Sequence, residues 1–221
     1  MNEPDGTRAA RIRDRSSQRR ERRKETLRRT ILDAASALFV EHGYEQFSLR
    51  QVAERIGYTA TTIYHHFADK DELLFEVLLE GFESFGRRLQ EAYDCETDPA
   101  ARLEATGRAY VRFGLEHRAH YRLMFMERPE FLLRPGVNEN REPTIDSFGV
   151  LFKIVEELIA SGSVEPADPL TLSNLLWSGV HGIVALAIAS PTCDDVQAER
   201  LTDLYIPSIL KGLRPTRGDT P

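Results

Sequence analysis

The spacing of apolar residues constrains this chain more than any other feature. From Leu27 onward, large side chains recur at three- and four-residue intervals, and no sustained period-two alternation interrupts them. Leu27, Ile31, Ala34, Ala35, Leu38 and Phe39 form a first helical stripe, which Gly43 closes. Ser48 and Gln51 then stand at the two positions of a capping box. Leu49, Val52, Ala53 and Ile56 follow as an inward face before Gly57. Thr59 caps a third short helix with Ile63, Tyr64 and Phe67 inward. Asp69 opens a long fourth helix striped by Leu73, Leu74, Val77, Leu78, Phe82, Phe85 and Leu89. Helical stripes continue at 99–116, 144–161, 169–189 and 196–213. A short apolar stretch lies at 121–126, and prolines 129, 135 and 143 mark a loop over 127–143. The expected fold is all-α with about nine helices: three short N-terminal ones followed by a helical bundle.

Charge divides the chain unequally. Residues 1–30 hold eleven Arg/Lys and five Asp/Glu, a net +6; residues 31–221 hold 18 and 30, a net −12. A basic head on an acidic body points to a localised anionic partner. Residues 1–22 contain only Ile12 as a large aliphatic, so a disordered basic arm is expected there. The two cysteines, Cys95 and Cys193, lie far apart and suit a reducing, cytoplasmic setting; one long-range disulfide is the alternative. The N-terminus has no apolar signal core. Residues 169–193 carry no formal charge, but Thr171, Ser173, Asn174, Ser178 and His181 interrupt them. Burial in a bundle or an oligomer interface is therefore expected, with no membrane partner.

Helices two and three, joined through Gly57, form a helix-turn-helix. A recognition helix this short enters the major groove by its N-terminal end. There Thr59, Ala60, Thr61 and Thr62 offer hydroxyls and methyls to base edges and phosphates. The stretch Phe47 to Leu74, FSLRQVAERIGYTATTIYHHFADKDELL, resembles the N-terminal DNA-binding domain of TetR-family transcriptional regulators. The matching features are Val52-Ala53, Gly57 and the spacing of Tyr64, Phe67, Lys70, Leu73 and Leu74. Trp177-x-x-x-His181-Gly182 resembles the motif of a C-terminal class within that family. The sequence departs from the commonest family pattern at Ala60 and Thr61.

The resemblance implies a homodimer on a palindromic duplex operator, its recognition helices about 34–36 Å apart, and a small-molecule effector. Carried over by position, Ser48, Arg50, Thr59, Thr61, Tyr64, His65 and Lys70 would meet DNA. Tyr64 and Lys70 would hold phosphates, and Ala60, Thr61 and Thr62 would lie nearest the bases. Arg19, Arg20, Arg22, Arg23 and Lys24 could reach an adjacent minor groove. The expected boundaries are a basic arm at 1–23, a DNA-binding domain at 24–70, an effector and dimerisation domain at 71–214 and a flexible tail at 215–221. Tyr110, Phe113, Met124, Phe125, Phe148, Trp177 and His181 are the candidate cavity residues, whose aromatic and sulfur character suits a small apolar or aromatic effector that would release the protein, as a repressor, from its operator. The helices at 169–189 and 196–213 are the expected dimer surface.

No Gly-rich phosphate loop, paired carboxylate motif or Gly-x-Ser-x-Gly occurs, so neither an enzyme nor a cofactor is expected. His65 and His66 point about 100° apart on a helix, which argues against a metal site. Two other readings compete: a helical adaptor that binds proteins through its apolar C-terminal helices without sequence-specific DNA binding, and an enzyme or ligand-storage bundle.

Overall fold

The computed structural model describes residues 5–126 and 145–215, with side chains from Arg15 onward. The proline-rich segment expected as a loop and the tail beyond Pro215 fall outside the described residues. Among the described residues there is no strand. The helices are α1 (Asp5–Gln46), α2 (Leu49–Ile56), α3 (Ala60–Tyr64), α4 (Lys70–Asp94), α5 (Pro99–Glu116), α6 (Arg118–Tyr121), α7 (Ser147–Ala160), α8 (Pro169–Ala189) and α9 (Asp195–Gly212). A π-helical turn, Arg122–Met126, continues α6.

The chain divides into two compact units, residues 1–77 and 78–221. The boundary falls within α4, later than the sequence reading placed it. The first turns of α4 are bound to α1: Tyr44 donates to Asp71 Oδ1 at 2.5 Å, Lys70 Nζ donates to the Tyr44 carbonyl at 3.0 Å, and Arg28 pairs with Glu76. Those polar ties hold residues 70–77 to the N-terminal unit.

In the first unit, α1 runs from Asp5 through the rest of the stretch expected as a disordered arm. Arg, Lys, Glu and Gln are good helix formers, so helix persists there without an apolar face. Inside α1, at Gly43, the backbone leaves helical geometry at φ 70°, a conformation that costs a residue with a Cβ. The core beneath α1 comprises Ile31, Ala35, Leu38 and Phe39, with Val52 and Ala53 of α2, Ile63 of α3, and Phe67.

The second unit is a bundle in which α5 packs against α7, α8 and α9, and α8 packs against α7 and α9. Four of its helices open on an aspartate whose carboxylate accepts a backbone N–H: Asp98 for α5, Asp146 for α7, Asp168 for α8 and Asp194 for α9. Such caps are each worth about 1 kcal/mol. α8 is the helix among the described residues that is long and apolar enough to cross a membrane, yet Leu172, Leu176, Val180, Ile183 and Val184 are buried in the bundle. Both cysteines are free thiols, Cys193 buried and Cys95 exposed.

Candidate nucleic-acid interface and effector cavity

The helix-turn-helix is assembled by local hydrogen bonds. Ser48 Oγ accepts from the Gln51 N–H at 3.3 Å and donates to Gln51 Oε1 at 2.9 Å. Gly57 closes α2 in the left-handed region, φ 72°. Its N–H and that of Tyr58 return to the Glu54 and Ala53 carbonyls. Thr59 Oγ1 accepts from the Thr62 N–H at 3.3 Å and lies 3.0 Å from the Thr62 hydroxyl. Asp69 and Glu72 cap α4 reciprocally: the Glu72 N–H reaches Asp69 Oδ1 at 2.8 Å, and the Ala68 N–H reaches Glu72 Oε2 at 2.6 Å.

These caps fix which side chains face outward. Ile63 and Phe67 are buried, whereas Thr59, Thr61, Tyr64 and His65 are exposed. Tyr64 is 58% exposed, so its ring is not core, although the sequence reading turned it partly inward. Ser48, Ala60, Thr62 and Lys70 are half-buried. Arg50 is exposed and paired with Glu54 at 3.1 Å. The Lys70 ammonium sits 3.9 Å from the Tyr44 ring centroid as well as on its carbonyl, so this cation also joins α4 to the end of α1. Tyr58, between Gly57 and the Thr59 cap, is 49% exposed and is a further candidate for this surface that the sequence analysis does not name. An aromatic directly after a C-terminal glycine cap is the signal that could have found it. His66 is held below the ordinary histidine pKa, first by partial burial and then by the positive charges of Lys24 and Arg28.

The second unit holds a half-open pocket with a cavity volume of about 170 Å³. Phe82 and Phe85 of α4, Tyr110 of α5 and Phe125 line one side. Phe148 and Leu151 of α7, Trp177 and Val180 of α8, and Tyr205 of α9 line the rest. Phe125 stands edge-on to Phe82 and Phe85, with ring centroids 5.5 and 5.7 Å away. Of the seven candidate residues, Tyr110, Phe125, Phe148 and Trp177 are brought together on this wall. Phe113, Met124 and His181 are not. Phe113 is packed between Phe85 and His117. Met124 occupies the notch left by Gly81, where a Cβ would stand 2.8 Å from its sulfur. His181 lies behind the wall.

A chain of hydrogen bonds connects wall to interior. Trp177 Nε1 donates to Tyr110 Oη at 3.0 Å. Tyr110 and Tyr121 hydroxyls are 2.9 Å apart, and Tyr121 Oη lies 2.7 Å from His181 Nδ1. Burial pushes the Tyr110 phenol up to about 12 and the Tyr121 phenol higher still, and it lowers His181. One arrangement satisfies every member: Tyr110 donates to Tyr121, Tyr121 donates to Nδ1, and the neutral imidazole keeps its proton on Nε2. Other polar groups on the wall are occupied as well. Thr106 donates to the Arg102 carbonyl at 2.7 Å and Tyr205 to the Leu175 carbonyl at 3.2 Å. The cavity therefore presents ring faces and methyl groups, with its principal hydroxyls and the indole N–H already bonded.

Comparison with known proteins agrees with this geometry in both units. The profile of bacterial regulatory proteins of the tetR family matches residues 31–77, and that of the tetracyclin repressor-like C-terminal domain matches residues 103–206. The transcriptional repressor KstR2 of Mycolicibacterium smegmatis is 24% identical over 86% of this chain and 91% of its own length. The transcriptional activator FasR of the same organism is 34% identical, over 43% of each chain. Among solved structures, a Rhodococcus sp. RHA1 protein of unknown function superposes with TM-score 0.67 at 26% identity, covering 86% of this chain and 96% of its own. FadR of Bacillus subtilis, solved with stearoyl-CoA, superposes with TM-score 0.69 at 18% identity over 84% of this chain and 98% of its own. With a helix-turn-helix that fits one profile and a bundle that fits the other, the chain belongs to the TetR family of bacterial transcriptional regulators.

Proposed function

We propose that this protein is a cytoplasmic homodimeric repressor that holds a palindromic operator and lets go when an apolar or aromatic molecule enters its cavity. The observation that carries the DNA reading is the division of labour across α3. Ile63 and Phe67 anchor it, while Thr59, Thr61, Tyr64 and His65 face solvent at the end that a short recognition helix inserts. Thr61 with Ala60 and Thr62 discriminates bases. Ser48, Arg50, Tyr64 and Lys70 engage phosphates.

Pairing uses the outer side of α8 and α9. Leu175, Ser178 and Leu186 are exposed along one strip of α8 with half-buried Gly182 between them, and Leu204 of α9 is 67% exposed. An apolar surface of this kind is better covered than left in water. Twofold pairing places two heads for consecutive turns of the duplex. For the switch, α4 supplies Phe82, Phe85 and Leu89 to the cavity wall. An effector that displaces those turns displaces a helix whose start carries Lys70. A coupling of about 1–3 kcal/mol suffices, provided the effector binds the two states unequally.

The test is selection of bound fragments from genomic DNA by the purified full chain, with and without a lipid extract of cells. Enrichment of inverted repeats that the extract abolishes supports the reading. Enrichment that the extract strengthens would reassign the protein as an activator or co-repressed regulator. Capture of proteins with no DNA enrichment would favour the adaptor.

A further inference from the structure

The N-terminal part of α1 carries a charge pattern that the DNA-reading face does not. Residues 15–26 are exposed on every side, so no apolar partner is served there. With about 3.6 residues per turn, Arg15, Arg19, Arg20, Arg22, Arg23 and Lys24 fall on one arc of roughly 200°, and Glu21 and Glu25 on the remainder. The arc is tied to the recognition helix by geometry. Arg28, one turn beyond Lys24 and about 40° past that edge of the arc, lies over Phe67 at 5.4 Å and pairs with Glu76. Phe67 follows the end of α3 by three residues. The positive charge of Lys24 is felt at His66, one residue closer.

The reading face needs such a supply of charge. Its own strong cations are Arg50, paired with Glu54, and Lys70, bound to Tyr44. Phosphate neutralisation is what gives duplex binding most of its affinity.

We propose that residues 15–24 of α1 act as a helical rail on the phosphates of the duplex flanking the site read by α3, without reading its sequence. This rests on the DNA-binding reading above. It also replaces the minor-groove role that an unstructured arm would have. A helix with side chains is about 10–12 Å across, and the minor groove is only about 6 Å wide. A rigid helix therefore lies along the backbone, where Arg and Lys at one-turn spacing meet successive phosphates. Glu21 and Glu25 then face away from the polyanion.

The experiment compares the full chain with the variant R19Q/R20Q/R23Q/K24Q, in which glutamine preserves helix propensity. Dissociation constants are measured against salt on a duplex enriched by the full chain and on a scrambled duplex of equal composition. The expected result is a loss of about 2–4 units of salt slope for each engaged head on both duplexes, with the ratio of the two affinities at fixed salt unchanged. The variant R19K/R20K/R23K/K24R should keep the full slope. An unchanged slope in the glutamine variant, with its helical content intact, would overturn the rail. A falling affinity ratio would show base reading and overturn it as stated. If the full chain does not prefer its enriched duplex but the slope still falls, the reading by α3 fails and the rail stands.

Discussion

The two units use the same helical alphabet for opposite ends. Residues 1–77 bury a compact apolar core beneath polar side chains: Ile31, Leu38, Val52, Ile63 and Phe67 are at most 3% exposed, and Thr61 and Tyr64 of α3 stand in solvent. Residues 78–221 differ: among the described ones, Phe85, Tyr110, Phe125 and Trp177 wall a half-open pocket. A packed interior gives a rigid probe, which is what reading a groove to within a hydrogen bond demands. An unfilled interior gives up dispersion contacts and gains a place for a ligand. In the first unit, surface substitutions should therefore affect function without stability. In the second, wall substitutions should affect both.

The sharpest way to break this contrast is Phe67→Ala. Removing a 1% exposed ring from the small filled core should cost about 3–5 kcal/mol. Urea unfolding followed by circular dichroism would read it, and a cost below about 1 kcal/mol would mean that the core is not tightly packed. Next in size is Tyr110→Phe. It strands the Trp177 N–H behind an apolar wall and takes away the donor to Tyr121. The expected cost is about 1–3 kcal/mol, with DNA affinity in the absence of effector unchanged. A neutral result would mean that the chain of hydroxyls is dispensable.

Lys70→Met is smaller and tests the border between structure and function. Loss of a phosphate contact lowers the salt slope of DNA binding by about one unit for each head. Loss of the Tyr44 tether alone lowers the melting temperature and leaves the slope untouched. The smallest effect is at His181. Burial depresses its folded pKa below the ordinary 6.5, so the unfolded chain takes up this proton first. Its contribution to stability is complete above pH 6.5 and is lost as pH falls through the folded value. Melting temperatures between pH 7.5 and pH 5.5 should fall more steeply for the natural chain than for His181→Gln, and parallel curves would count against a neutral buried imidazole.

What could be read from the sequence follows from how local each signal is. Ser48 with Gln51, Gly57, Thr59 and Asp69 announce their helix ends because cap and partner lie within four residues. The burial of Leu49, Val52, Ala53, Ile63 and Phe67 follows from the same short-range spacing, whereas the outward turn of Tyr64 does not. The helix over the basic segment escaped because order was sought in apolar content, and a solvated Arg- and Glu-rich helix has none. The cavity was half legible. Aromatic residues could be named, but a stripe that packs solid looks the same in sequence as one that borders a void. Phe113 and Met124 were chosen on chemistry and are consumed by neighbours, Phe85 with His117 and the notch at Gly81. Phe82, Phe85 and Leu151 line the pocket without having been singled out for it. Tyr121 joins His181 to the wall across sixty residues of chain, a pairing that no spacing rule reaches.

The central claim is that the outward face of α3 reads duplex DNA. It is tested most directly by selecting from random-sequence duplexes with the full chain and with Tyr64→Ala/Thr61→Ala, both kept folded as judged by melting temperature. The account predicts that the full chain enriches one inverted repeat and that the variant enriches nothing while melting within a degree or two of the natural chain. Equal enrichment of the same repeat by the variant, or none by the full chain at low ionic strength, would contradict it.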